Sequence, residues 1–141
     1  MKSVQVFSDG ACKGNPGPGG WAALLVYVGG DNRRHEKEVS GYEPHTTNNR
    51  MELLAAIRGL DAIRESCHVA LYTDSQYLVT LATGGKAKKN GDLVERLRQV
   101  MQHHEVAVHY VRAHAGHPEN ERVDRLAQQQ AQQAKRAALA Y

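Results

Sequence analysis

Four carboxylates carry the chemistry that this sequence suggests. Glu52 lies within TTNNRMELLAAIRGLDAIRES, a stretch patterned as one long helix. At about 100° per residue, Ile63, Ala56, Leu60, Leu53 and Ile57 fall in one arc that begins at Glu52, with Gly59 and Ala55 just beyond it. Arg50, Asp61 and Arg58 fall on the opposite side. Glu52 therefore shares the face that should bury itself, where an unpaired carboxylate is costly unless it meets a cation. A capping box, with Asn49 as N-cap and Glu52 three residues on, is the plainer alternative.

Asp9 and Asp74 each follow an apolar, β-prone run, in VQVFSD and VALYTD. If those two strands are parallel neighbours, both aspartates emerge at one sheet edge, the place where open α/β sheets hold ligands. Each also has an ordinary explanation, an Asp-Gly turn for Asp9 and an N-cap at Asp74-Ser75. Asp124 borders a helical stripe formed by Val123, Ala127, Ala131, Ala134 and Ala138. Just before it, the loop AHAGHPEN carries His114 and His117, either polar filler or groups able to move protons beside carboxylates. Clustered acids raise one another's pKa unless cations neutralise them. All-oxygen donors without a cysteine or histidine pair favour Mg²⁺ or Mn²⁺. Two such ions about 4 Å apart suit phosphoryl transfer to water.

The elements that must position these groups read as follows. SVQVF, WAALLVYV (21–28) and RRHEKEVSGY form a meander, with GGDN as a hairpin turn. The long helix follows, then the strand HVALYT (68–73), a brief helix SQYLVTLA, the loop GGKAKKNG and a helix DLVERLRQVMQHH. EVAVHYV is the last strand, and ERVDRLAQQQAQQAKRAALA the last helix. A meander followed by alternating strands and helices predicts an α/β domain with a mixed five-stranded sheet flanked by helices. The first and fourth strands should be parallel neighbours.

Composition narrows the class. The chain has 141 residues, a length suited to one domain, and 41% are hydrophobic. No apolar run approaches the roughly 20 residues of a membrane span, and MKSVQVF lacks a signal peptide's apolar region, so a cytoplasmic location away from membranes is expected. Cys12 and Cys67 are expected as reduced thiols. The net charge of +3 and a pI near 9.0 lean toward polyanionic partners, with Lys86, Lys88 and Lys89 clustered in one loop.

SDGACKGNPGPGGW, TTNNRMELLAAI, TDSQYL and AHAGHPENERVDRLA, in this order, closely resemble the four signature segments of bacterial type 1 ribonuclease H. The resemblance spans most of the chain. It implies an RNase H-like fold over residues 1–141. The implied activity is metal-assisted endonucleolytic hydrolysis of the RNA strand of RNA–DNA hybrids, leaving 5′-phosphate and 3′-hydroxyl ends. Asp9, Glu52, Asp74 and Asp124 match the metal-binding catalytic carboxylates, Asp9 as the bridging ligand of two Mg²⁺ ions, with Mn²⁺ as a substitute. His114 matches the loop histidine that assists proton transfer or product release, and Asn120 lies in the same motif. Cys12, Asn15, Asn48 and Gln76 match positions facing the hybrid's minor groove. Gly10 and Gly14 there would permit close approach of the nucleic acid. Thr47 matches a DNA-phosphate contact at the helix start, with Asn49 and Arg50 supporting it.

One departure stands out. Many bacterial members carry an extra helix and a basic, tryptophan-bearing protrusion after the SQY helix, where this chain has ATGGKAKKNG. An active monomeric enzyme that grips its hybrid less tightly is the expectation. A DNA-processing nuclease of the wider superfamily, and a noncatalytic hybrid-binding protein, are the competing readings.

Overall fold

Alternate residues of the first strand belong to different halves of the core. Val4 and Val6 pack in one apolar cluster, while Phe7 and Ala11 pack in another. The second strand repeats the alternation, with Ala23 and Leu25 on one side and Ala22, Leu24 and Val26 on the other. Strands buried on both faces need a helical layer above and below.

The computed structural model, which describes residues 1–139, supplies both layers. Its strands are β1 (Ser3–Cys12), β2 (Gly17–Val28), β3 (Arg34–Thr46), β4 (His68–Thr73) and β5 (Glu105–Tyr110). Its helices are α1 (Asn48–Asp61), α2 (Gln76–Ala82), α3 (Gly91–Met101) and α4 (Pro118–Leu139). The sheet order is β3-β2-β1-β4-β5. β1 pairs antiparallel with β2 and parallel with β4, β2 pairs antiparallel with β3, and β4 runs parallel to β5. Leu53, Ile57 and Leu60 of α1, Leu78 of α2 and Leu97 of α3 cover one face. Val123, Ala127 and Ala131 of α4 cover the other. The α/β architecture and the parallel β1–β4 pair match the sequence expectation.

Several boundaries differ for physical reasons. β1 runs on to Cys12 and β2 starts at Gly17, so most of SDGACKGNPGPGG is strand. Its glycines serve packing as well as turning. A Cβ on Gly20 would sit 2.4 Å from both Ala127 O and Ala131 N, so the bare backbone lets α4 lie directly on β2. α1 is capped by Thr47, whose Oγ1 accepts from Arg50 N at 3.2 Å, and it ends at Asp61 rather than Ser66. The capping-box reading of Glu52 with Asn49 is thereby replaced, since the chain is already helical at Asn48. α3 ends at Met101, short of the expected His104. α4 begins at Pro118, inside the expected loop. Ala138 is exposed and outside the buried stripe. Of the C-terminal stretch, Ala140 and Tyr141 lie outside the described residues.

Candidate active site

The β1–β4 register sets the first two carboxylates side by side. Phe7 pairs with Tyr72, and two residues further along each strand stand Asp9 and Asp74. Asp9 is still within β1, paired with Ala22 of β2, and is only 5% exposed. Asp74 is half-buried between the end of β4 and Ser75, the cap of α2, whose Oγ accepts from Leu78 N at 3.0 Å. Two ordinary explanations are thus settled: Asp9 lies inside a strand, and the cap of α2 is Ser75.

Glu52, 4% exposed, arrives from α1 through a close approach of helix to strand. A Cβ on Gly10 would lie 2.6 Å from Glu52 N and 2.6 Å from the Met51 carbonyl carbon. The missing side chain at Gly10 is filled by the α1 backbone, which corrects the expectation that it makes room for nucleic acid. Gly14 keeps open space, its nearest outside atom being Pro16 O at 3.8 Å, and its φ of +71° favours glycine.

Asp9, Glu52 and Asp74 each offer an oxygen within 4.8 Å of the others. None of the ion pairs among the described residues involves these three. Asp9 Oδ1 accepts from Gly10 N at 2.9 Å, but Glu52 Oε1 is buried without any hydrogen-bond partner. An orphaned, buried carboxylate oxygen between two aspartates is what a cation ligand set looks like, and these donors fit a hard divalent ion. Burial, then the charge of Asp74, pushes Asp9 up from its ordinary 3.8 to about 8. Glu52 is raised well above its usual range by burial and by repulsion from Asp9 and Asp74. Asp74 is raised by burial, while Asp9 pulls it down and Asp124 pushes it up.

These shifts predict how the cation-free protein behaves. Between pH 3.8 and about 8 folded Asp9 keeps a proton that the unfolded chain has released. Stability therefore falls as pH rises through that window. Thermal denaturation with chelator should give a lower Tm at pH 8 than at pH 5. Mg²⁺ should recover most of the difference at pH 8, and Asp9→Asn should flatten the slope in chelator.

Asp124 stands beside this triad rather than within its 4.8 Å group. It is half-buried on α4, and its charge helps raise Asp9. With Asp74, Arg112, His114, His117 and Asn120 it lines a small cavity at the triad's edge. His114 is exposed, with a φ of 55°, on the loop between β5 and α4. Asn120 lies in the first turn of α4.

The remaining residues gather at the start of α1. Asn15 Oδ1 accepts from Asn48 N at 3.0 Å, which ties the β1–β2 loop to the helix. Cys12 Sγ sits 3.5 Å from Thr46 O and 3.6 Å from Gly17 O, so the thiol faces backbone carbonyls. Gln76 is exposed at the first position of α2. Arg50 donates twice to Asp92, at 3.0 and 2.8 Å, and once to Asn90 Oδ1, which joins this helix start to α3. Sequence reasoning missed Arg112 and the packing role of Gly10. The Asp-Gly pair was visible, but only the fold shows that a helix lies against it.

Comparison with known proteins agrees with this geometry. The family model described as RNase H matches residues 1–132. A protein named Ribonuclease H from Thermus thermophilus is 54% identical over 146 aligned positions, covering 93% of this chain and 85% of that protein. One of the same name from a Bradyrhizobium strain is 51% identical over 138 positions, covering 88% and 86%. Among solved structures, an N-terminal RNase H domain from Mycobacterium tuberculosis superposes with a TM-score of 0.81 at 26% identity, covering 98% of this chain and 99% of that one. A sheet edge that gathers three carboxylates, two of them buried, and a sequence that matches over most of its length, have one explanation in common: the chain belongs to the RNase H family.

Proposed function

We propose that the chain is a single-domain ribonuclease H whose acidic cluster hydrolyses the RNA strand of RNA–DNA hybrids, leaving 5′-phosphate and 3′-hydroxyl ends. The observation that carries this reading is the orphaned Glu52 Oε1 held against Asp9 and Asp74. Asp9, Glu52 and Asp74 would hold divalent ions, two Mg²⁺ or Mn²⁺, with Asp124 as the more exposed ligand. Such ions, when bound, supply the positive charge that activates water and stabilises the leaving oxygen.

The chain's own residues do the rest. Asp9 reaches the site from the central strand β1 and would be the ligand at the centre of the cluster. His114, on a loop with few anchors, moves a proton at the leaving 3′-oxygen or assists product release, and Asn120 stands beside it. Asn15, Asn48 and Gln76 face the minor groove, where 2′-hydroxyls mark the RNA strand, and Cys12, its thiol turned to backbone carbonyls, would line the same surface. Thr47 keeps a hydroxyl proton to donate to a DNA phosphate while its oxygen caps α1.

Incubation with RNA–DNA hybrid, duplex DNA and duplex RNA tests the selectivity. Cleavage of the hybrid alone supports the reading, whereas equal cleavage of duplex DNA favours a DNA-processing nuclease. Binding without cleavage points to a noncatalytic hybrid binder. The α2–α3 connection spans only residues 83–90, with exposed Lys86, Lys88 and Lys89 as its cations. Each phosphate contact adds modestly to affinity. A cleavage-dead variant should therefore bind hybrid more weakly than a protrusion-bearing relative at the same salt, and equal affinities would contradict this. Among the described residues no helix is long and apolar enough to cross a membrane.

A further inference from the structure

The start of α4 has little to hold it in place. Residues 118–122 include no buried side chain, and the buried stripe that follows is Val123 and then alanines at 127, 131 and 134. Small side chains let the helix approach the sheet closely, and the larger Leu126 packs beside them only partly buried, so apolar contact fixes the helix loosely along and around its axis. The loop before it is looser still. Val111 N donates to Thr73 O at 2.8 Å at one end, and Glu121 N donates to His117 O at 3.0 Å at the other. Among the described residues no side-chain hydrogen bond holds 112–117, which include His114 at φ 55° and Gly116 at φ 83°.

A charged clamp lies where apolar packing is thin. Arg122 Nε donates to Glu38 Oε2 at 2.7 Å, and its terminal nitrogen donates to Glu36. Arg34 Nε donates to Glu36 Oε1 at 2.9 Å, and Arg34 reaches Glu119 Oε1 at 3.4 Å. Glu36 and Glu38 sit on β3 opposite Val26 and Leu24, and those residues pair in turn with Gln5 and Phe7 of β1. Leu24 faces Phe7, two residues before Asp9, so the clamp ties α4 to the same strand ladder that carries Asp9.

We propose that Arg122 is a positioning residue for hydrolysis. By gripping Glu36 and Glu38 it fixes where α4 begins, and so where Asp124 and the His114 loop stand relative to Asp9. This rests on the ribonuclease reading above. The Arg122 and Glu36 side chains are 36% and 32% exposed, and partly exposed pairs add little to global stability. Misplacing catalytic groups by even about 1 Å costs far more in rate. The clamp's signature is therefore lost turnover with an intact fold.

Steady-state cleavage of a hybrid by Arg122→Ala, with melting curves alongside, tests this. The expected result is a fall in kcat of about tenfold. KM should stay within about twofold, and Tm within about 3 °C. Arg122→Lys should recover part of the rate, because an ammonium cannot reproduce the guanidinium's two-armed grip. Glu36→Gln combined with Glu38→Gln should reproduce the loss, and adding Arg122→Ala should lower kcat no further. Unchanged kcat in Arg122→Ala, losses that multiply, or a Tm that falls in step with activity in both variants would each overturn the proposal. A parent protein that leaves hybrid uncut would sink the ribonuclease reading instead, so the two failures are distinct.

Discussion

Asp9→Asn should abolish cleavage of the hybrid while leaving hybrid binding measurable. The substitution keeps the size and shape of a side chain that is 5% exposed, and Asn can still accept from Gly10 N at the position Asp9 Oδ1 now holds at 2.9 Å. What it removes is the charge at the centre of the cluster. Loss of one preorganised electrostatic group costs about 10²–10³ in rate, and if Asp9 serves both ions, as proposed above, its loss should lie at or beyond the upper end. In the reading proposed above, hybrid binding draws on other surfaces, chiefly the α1 start and the β1–β2 loop, which Asn15 and Asn48 join. In chelator the variant should also be more stable than the parent at pH 8, because a buried charge is gone. Single-turnover rates and fluorescence anisotropy with labelled hybrid measure the two effects separately. Cleavage near the parent rate would place the centre elsewhere.

Gly10→Ala should damage stability and activity together. In most strands alanine is the better residue, by about 0.5–1 kcal/mol. At Gly10 the new methyl would meet two backbone atoms of α1 at 2.6 Å, and backbone cannot rotate out of the way. Either α1 shifts outward or β1 bends, and overpacking of this kind costs about 1–3 kcal/mol. A displaced α1 also withdraws Glu52 from Asp9 and Asp74. A misplacement of about 1 Å is enough for a rate loss near a hundredfold. Denaturant melts and kcat on the hybrid check this, and a variant as stable and as active as the parent would contradict the packing argument.

Residue types and periodicity carry much of this account, and long-range contact supplies the rest. The inward position of Glu52 follows from helical spacing alone, since a buried face is written into the order of apolar residues. The parallel β1–β4 pair is expected from a meander followed by alternating helices and strands, although β2, β3 and α1 all lie between the two strands in the chain. The extent of β1 and β2 was hidden because glycine and proline signal loops locally. In the fold they are strand residues whose lack of bulk admits α4 at Gly20 and α1 at Gly10. The early start of α4 was masked in the same way, because HPEN reads as a loop until Pro118 is seen as the first helical residue. The clamp on Arg122 could not be read at all. Its partners are 84 and 86 residues away, and only the sheet order β3-β2-β1 brings them under α4.

In the proposed reading the cluster of Asp9, Glu52 and Asp74 is a cation-dependent centre for cutting RNA paired with DNA. The most direct measurement uses one hybrid with each strand labelled in turn, incubated with Mg²⁺, with Mn²⁺ or with chelator. Only the RNA strand should be shortened, the new ends should be 5′-phosphate and 3′-hydroxyl, and chelator should stop the reaction. Cutting of the DNA strand, or cutting that persists in chelator, would contradict it.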